Sequence, residues 1–275
     1  MAESLSVYGE RHMAGIFKRV EKKYLLTAKK SEAFIEKLGD RIIPDEYTDY
    51  TICNVYYDTK DCDLIRRSLD KPKYKEKFRV RCYGTAKDDT KVYLELKKKW
   101  KGVVYKRRVG MPMNVAAAYL EDGVYPDEYD CQIFREIDYA IKFYDLRPNV
   151  FLAYDRMAYV VKDMPEIRFT IDQHIRSRKT DMDLRKDTPC DELYEEDMRL
   201  LEIKAPDSLP LWFVEIMDEL KIRSSSFSKY GRVYQSRLKN DLESSQDTEC
   251  VQQRFTAQQL ELAFNGLAET VCVTD

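Results

Sequence analysis

The chain has 275 residues, of which 44% are hydrophobic and 35% are charged, so it can bury a substantial core as one large domain or two small ones. Its 47 Lys and Arg residues nearly balance its 49 Asp and Glu residues, and the net charge of −2 gives no sign of a nucleic-acid-binding protein. Because the sequence has no membrane-length apolar run, no signal-peptide pattern and no C-x-x-C pair among its seven cysteines, we expect a cytoplasmic protein without direct membrane insertion.

Most of the predicted elements are strands in which charged and apolar side chains alternate. In chain order, a leader at 1–16 is followed by a strand at 17–26, a helix at 31–38, and strands at 51–58, 75–82, 92–99 and 103–109. Two helices at 114–120 and 129–144 precede strands at 151–161, 166–172 and 199–205, a helix at 208–221, a polar basic segment at 224–232, and a linker with a C-terminal helix within 239–275.

The strand at 75–82 shows the alternation most clearly. Successive side chains of a strand point to opposite faces, so one face carries Lys75, Lys77, Arg79 and Arg81. A row of like charges spaced about 6.6 Å apart favours a polyanion lying along it. The alternative is the solvated face of an ordinary antiparallel sheet, and only repetition of the pattern argues against it.

The pattern repeats in at least six of the eight strands, which are joined mostly by turns. We therefore predict an α+β fold built on an eight-stranded, closed antiparallel β-barrel, with flanking helices covering its apolar outer face. In a closed barrel the charged faces line the interior. Such an interior needs a ligand, and an elongated, highly charged anion fits it.

Four carboxylates lie on the same faces as the cations: Glu21, Glu95, Asp172 and Glu202. Carboxylate oxygens suit Mg²⁺ or Mn²⁺ that bridges phosphate oxygens, which makes these residues candidate metal ligands. The alternative is that they pair with neighbouring Lys and Arg side chains, and for Glu21 and Glu95 the two roles stay open. Glu202 is the preferred metal ligand.

Short motifs between residues 17 and 238 resemble the VTC domain, the polyphosphate polymerase domain of the vacuolar transporter chaperone family in the triphosphate tunnel (CYTH-like) superfamily. The matching stretches are Arg19-Val-Glu21-Lys-Lys23-Tyr24, Tyr56-Tyr-Asp58, Phe78-Arg79-Val-Arg81-Cys-Tyr83-Gly84, Glu95-Leu-Lys97, Asp155-Arg156-Met-Ala-Tyr159, Arg168-Phe-Thr-Ile-Asp172, Leu201-Glu202-Ile-Lys204 and Ser226-Phe-Ser228-Lys229-Tyr230. The resemblance implies a tunnel that binds a nucleotide triphosphate and transfers its γ-phosphate to polyphosphate with Mn²⁺ or Mg²⁺.

Site residues follow from the resemblance by position. The expected catalytic residues are Arg79, Arg81, Lys97 and Lys229. The expected substrate-binding residues are Arg19, Lys23, Lys77, Lys106, Arg108, Arg156, Arg168, Lys204 and Ser228, and the expected metal ligands are Glu202, Glu21 and Asp172.

The sequence departs from its relatives in two ways. Hydrolytic members of the superfamily begin with Glu-x-Glu-x-Lys, whereas Arg19 occupies the first position here, which favours the polymerase branch. The phosphate-sensing domain and membrane helices of eukaryotic relatives are missing, so we expect a stand-alone domain with ATP and polyphosphate as partners. The alternatives are a triphosphate hydrolase and a non-catalytic binder of polyphosphate or inositol phosphates, and the C-terminal helix is a candidate surface for self-association.

Overall fold

The computed structural model describes residues 20–46, 48–194, 197–206 and 208–244. The strands are β1 (Val20–Thr27), β2 (Ile42–Pro44), β3 (Tyr50–Asp58), β4 (Tyr74–Tyr83), β5 (Lys91–Trp100), β6 (Val103–Pro112), β7 (Arg147–Val161), β8 (Met164–Arg178), β9 (Asp191–Glu192) and β10 (Met198–Ala205). The helices are α1 (Ala28–Leu38), α2 (Asp63–Leu69), α3 (Met113–Asp122), α4 (Gln132–Tyr144), α5 (Leu211–Glu219) and α6 (Lys229–Ser244). The predicted leader, Arg19 and the C-terminal helix lie outside these residues.

All eight predicted strands are present, and every strand pair is antiparallel. The order across the sheet is β1-β10-β8-β7-β3-β4-β5-β6, with the short strands β2 on β7 and β9 on β8. The hairpin predicted between β5 and β6 turns through Lys101 and Gly102, whose φ angles of 45° and 90° fit a two-residue turn. The predicted α+β fold with an antiparallel sheet is confirmed.

The predicted closed barrel is wrong, because the sheet is open. In the described residues β1 and β6 are the two ends of the strand order and do not pair with each other. Side-chain alternation reveals which residues share a face, but it does not encode backbone pairing between distant edge strands. The sheet curls into a half-barrel instead.

Helices cover the convex face of the sheet as the sequence predicts. On one half, α3 and α4 cover β4, β5 and β6, burying Phe134 and Ile137 against Phe78 and Leu94. On the other half, α1 and α5 cover β1, β10 and β8, where Phe34, Phe169 and Phe213 meet edge to face. No helix of the described residues is long and apolar enough to cross a membrane.

One end of the concave face is filled by an apolar plug. Tyr230 and Val233 of α6, together with Phe227, pack on Ile52 and Leu152 of the sheet. The helix α6 runs from Lys229 to Ser244, where the sequence analysis expected a polar segment and then a linker. Its buried positions are separated by polar residues, so the sequence shows no clear apolar stripe at helical spacing.

Asp58 links this apolar plug, formed by Phe227, Tyr230 and Val233, to the sheet through hydrogen bonds. Its fully buried carboxylate accepts backbone N–H groups from Thr59, Leu64 and Ile65 at 2.8, 2.8 and 3.0 Å, and the Tyr230 hydroxyl at 2.7 Å. Burial raises the pKa of Asp58, against the lowering effect of these donors. The carboxylate thus joins the end of β3, the start of α2 and the first turn of α6.

We expect Asp58→Ala to lower the free energy of unfolding by about 3 kcal/mol, because four buried donors lose their acceptor. Urea denaturation followed by circular dichroism measures the change. The matched control is Asp61→Ala, an exposed aspartate three residues later, for which we expect a change within about 0.5 kcal/mol. Equal midpoints for the two variants would contradict the role of Asp58.

Candidate functional site

The strand register brings most of the predicted site residues onto the concave face. On one side, Arg79 lies opposite Glu95, which lies opposite Arg108, and the next row is Lys77, Lys97 and Lys106. We call Lys75, Lys77, Arg79, Lys97, Lys106 and Arg108 the cationic wall. We call the residues on the opposite side the mixed wall; they are Glu21, Lys23, Arg156, Asp172, Glu202 and Lys204, with Lys229 of α6.

Glu95 is the carboxylate at the centre of the cationic wall. Its side chain is 2% exposed, and Arg79 Nη2 and Lys106 Nζ each lie 2.7 Å from its oxygens. Arg108 Nε follows at 3.3 Å and Arg81 Nε at 3.8 Å. Burial opposes ionisation, but Arg79, Arg81 and Lys106 outweigh it and hold the pKa of Glu95 at about 2. Glu95 therefore orients cations, the second of its two predicted roles.

Lys75, Lys77 and Lys97 have no carboxylate within ion-pair distance in the described part of the chain. Lys77 Nζ donates to Ser228 Oγ at 2.9 Å, just before α6 begins, and Ser228 Oγ also accepts the Gly231 N–H. Burial, with the charges of Lys75 and Lys23, lowers the pKa of Lys77 to about 7. Lys75 and Lys77 are half-buried and Lys97 is exposed, and this row of uncompensated cations favours a bound anion.

On the mixed wall, Asp172 is fully buried between two cations. Arg156 donates to both of its oxygens, at 2.6 and 2.8 Å, and the Lys229 ammonium donates to Oδ2. Burial alone would raise the pKa of Asp172, but Lys229 and Arg156 hold it below its usual range. Both cations also lie over the ring of Tyr154, at 4.2 Å for Lys229 and 5.3 Å for Arg156. Asp172 thereby connects α6 to the sheet.

Glu202 and Glu21 flank Lys23 on the same wall. Lys23 Nζ lies 3.4 Å from each carboxylate, and Lys204 Nζ lies 2.8 Å from Glu202. Burial opposes ionisation of Glu202, but Lys204 and Lys23 hold its pKa well below its usual range. Lys97 of the cationic wall lies within electrostatic reach of Glu21, Lys23 and Glu202, so the two walls face each other.

Two predicted residues lie at the margins of this cluster. Arg168 is exposed at the rim, where its guanidinium lies 3.5 Å from Asp45. Arg81 is at the buried end of the face, where it donates to Asn54 at 2.9 Å and to the Tyr154 hydroxyl at 3.1 Å. We expect Arg81 to position Tyr154 rather than to contact substrate.

The model of the VTC domain family matches residues 18–237 of the chain. The chain belongs to the VTC domain family. No curated protein sequence gives a significant match.

Several solved structures are similar to this VTC domain at low sequence identity. A candidate adenylate cyclase from Bacillus halodurans is 15% identical, with a TM-score of 0.49 over 77% of this chain and 95% of that one. A candidate adenylyl cyclase from Hippeastrum, described as having a dominant triphosphatase activity, is 14% identical, with a TM-score of 0.47 over 80% and 96%. At these TM-scores the likeness carries no functional argument.

A divalent metal is implied by the VTC resemblance, and the donor set of the mixed wall fits one. Among the described residues no three His, Cys, Asp or Glu side chains gather into a metal cluster. Mg²⁺ needs only one or two carboxylates when substrate phosphates and water complete its coordination. Glu202 and Glu21 supply two carboxylates on neighbouring strands. Asp172 is fully buried and Arg156 donates to both of its oxygens, whereas the Glu202 side chain is 10% exposed and Lys23 lies 3.4 Å from it. We therefore expect Asp172 to hold Arg156 and Lys229 rather than the metal.

Three residues of this VTC domain site were missing from the sequence prediction. Tyr154, Asn54 and Tyr56 project from β7 and β3 into the buried end of the concave face, where Arg79 donates to the Tyr56 hydroxyl at 2.9 Å. Each is an uncharged residue in a strand whose charged pattern is weak. Their alternation with apolar neighbours shows which face of the strand they occupy. Only the strand register shows that this face brings them to Arg79 and Arg81.

Proton uptake at Lys77 tests the expectation that a polyanion binds along the cationic wall. A bound polyanion favours the charged ammonium, so we expect Lys77 to take up a proton when long-chain polyphosphate binds near pH ~8. Below pH ~6 Lys77 is charged with or without ligand, and the uptake disappears. Calorimetry in buffers of different ionisation enthalpy measures it. Lys77→Met should remove most of the uptake and exposed Lys179→Met should not; identical uptake in both variants would contradict the assignment.

Proposed function

We propose that this VTC domain is a polyphosphate polymerase that transfers the γ-phosphate of ATP to a growing polyphosphate chain. The observation that carries the proposal is the unequal charge of the two walls. Glu95 is the single carboxylate of the cationic wall, where Lys75, Lys77 and Lys97 remain without a carboxylate partner among the described residues. A polymer of phosphates extends along such a row, whereas a lone triphosphate fills part of it.

The protonation states of the carboxylates favour a phosphate acceptor over water. The pKa values of Glu95, Asp172 and Glu202 are all held low by neighbouring cations, which makes these groups weak bases. The terminal phosphate of a polyphosphate chain is already anionic and needs no base. Water, in contrast, must be positioned and deprotonated before or during attack.

The transfer itself requires positioning and charge neutralisation. A terminal oxygen of the acceptor chain forms a bond to the γ-phosphorus, and the bond from that phosphorus to the β–γ bridging oxygen breaks, releasing ADP. In this proposal Arg79, Lys97 and Lys229 neutralise the transferred group. The ATP and chain phosphates are held by Lys23, Lys77, Lys106, Arg108, Arg156, Lys204 and Ser228.

A divalent cation held by Glu202 and Glu21 would supply further neutralisation of phosphate oxygens. The protein side chains fix the walls around it: Lys23 lies between the two carboxylates, and Asp172 holds Lys229 on the mixed wall. Residues 17–238 form the catalytic unit in this proposal.

Product analysis tests the function. The purified protein is incubated with ATP and Mn²⁺, products are resolved on a gel stained for polyphosphate, and ADP and orthophosphate are assayed in parallel. We expect a ladder of chains with matching ADP. Orthophosphate without polymer would instead identify a hydrolase, and polyphosphate binding with steep salt dependence but no turnover would identify a binding module.

A further inference from the structure

The tip of the β5–β6 hairpin exposes an apolar cluster that the concave site does not use. It joins the loop before β4, where the Lys101 N–H donates to the Lys73 carbonyl at 2.8 Å. Its exposed apolar side chains, each 43% to 53% exposed, are Tyr74, Trp100, Val103 and Val104. Tyr74, Trp100 and Val103 lie side by side on one face of the sheet, with the Tyr74 and Trp100 rings 6.1 Å apart, and Val104 lies beside the turn on the other face. Soluble proteins expose single apolar residues freely, but a group of this kind marks an interaction surface.

Lysines surround the same cluster. Lys71, Lys73 and Lys101 are exposed, and none of them forms an ion pair within the part of the chain that the structure describes. Lys101 lies over the Trp100 ring at 5.3 Å. We call these three lysines and the four apolar residues the hairpin tip. An unpaired basic cluster around exposed Trp, Tyr and Val complements a surface that is anionic outside and apolar beneath.

We propose that the hairpin tip docks on an anionic lipid bilayer. Trp and Tyr favour the interface between headgroups and acyl chains, and lysines there are attracted by anionic lipids. A polyanion such as polyphosphate would use the lysines but leave Val103 and Val104 without a role. A nucleic acid stacks on aromatic rings, and it too leaves the two valines unused.

Docking would also orient the concave face. Tyr74 lies opposite Trp100 in the sheet. Tyr74 immediately precedes Lys75 and Trp100 immediately follows Lys99, and these two lysines form the outermost row of cations. The end of the cationic face nearest the tip would therefore open toward the bilayer surface. This is a surface contact through a hairpin, without a membrane span.

The two tryptophans of the chain make a matched pair of probes. Trp212→Phe leaves Trp100 as the reporter at the tip, and Trp100→Phe leaves Trp212, which packs with Arg41 and Phe213 on the opposite half of the sheet. Vesicles of phosphatidylcholine alone, and vesicles that also contain anionic phosphatidylglycerol, are titrated into each protein. We expect a blue shift for Trp100 with anionic vesicles only, and no shift for Trp212.

Paired substitutions separate the apolar and electrostatic parts. Val103→Ser with Val104→Ser, and separately Lys73→Glu with Lys101→Glu, should each lower partitioning onto anionic vesicles by about tenfold or more. The matched controls are Val124→Ser with Val214→Ser, and Lys162→Glu with Lys179→Glu, all at exposed positions; these should bind like the wild-type protein. Melting temperatures close to that of the wild type verify folding.

Three outcomes would overturn the proposal. One is equal shifts for Trp100 and Trp212, which would show that the tip is not the contact. Another is a Trp100 shift with polyphosphate or an oligonucleotide but not with vesicles, which would assign the tip to a soluble polyanion. The third is a Trp100 shift on raising protein concentration without lipid, which would assign it to a second copy of the chain.

Discussion

Replacing Arg79 by alanine should lower polyphosphate synthesis by about 10³-fold, because an arginine that neutralises a transferred phosphoryl group contributes on that scale. The Arg79 guanidinium is held in place on the cationic wall by two contacts, with Glu95 at 2.7 Å and with the Tyr56 hydroxyl at 2.9 Å. Its loss removes a fixed charge that no mobile side chain replaces. Initial rates of ADP release coupled to chain growth measure the effect.

The matched control for Arg79→Ala is Arg107→Ala. Arg107 lies on the convex face of the adjacent hairpin, where it contacts Glu136 at 2.8 Å, so its removal deletes a charge and an ion pair outside the site. We expect less than about a threefold change in rate for this variant, since surface ion pairs contribute little. Arg79→Lys should recover only part of the rate, because an ammonium cannot reproduce the planar fork. Comparable rates for Arg79→Ala and Arg107→Ala would show that the concave face is not the reaction site.

Glu202→Gln should weaken the apparent affinity for Mn²⁺ by about 10- to 100-fold or more, since losing even an outer-shell partner of a ligand costs that much, with a loss of activity at limiting metal. The substitution keeps the shape of the side chain and removes the charge that attracts a divalent cation. Activity measured as a function of metal concentration separates a shifted midpoint from a lowered plateau. A shifted midpoint assigns Glu202 to the metal.

Asp172→Asn provides the contrasting result. Its carboxylate holds Arg156 and Lys229, so we expect a lower plateau and a lower melting temperature, with the metal midpoint unchanged. Glu166→Gln, an exposed carboxylate on β8, serves as the inert control. If Asp172→Asn shifted the midpoint and Glu202→Gln did not, the two carboxylates would have exchanged the roles given to them here.

The sequence was informative wherever the two-residue period of a strand separated charged from apolar positions. This is why eight of the ten strands in the described sheet, and the common face of Lys77, Arg79, Lys97 and Lys106, could be predicted, whereas β2 and β9 are too short to show the period. The covering helices followed from their apolar stripes. In each case a local pattern fixes the structure, and strand register then brings the residues together.

Features that depend on distant pairing could not be predicted. Glu95 meets both Arg79 and Arg108 only because three strands align, and Arg168 has the expected face but lies at the rim beside Asp45. The seven-residue helix α2 is too short to show a period, and the open edge of the sheet has no signature in side-chain order. Strand register, rather than composition, decides which cations remain unpaired.

The most direct test of the central claim follows the two ends of the triphosphate separately. Two parallel reactions contain the protein, Mn²⁺ and ATP labelled at either the γ- or the α-phosphorus. The polymerase predicts that the γ-label enters chains longer than ATP while the α-label is recovered in ADP. Recovery of the γ-label as orthophosphate, with no labelled chains at any primer concentration, would contradict it.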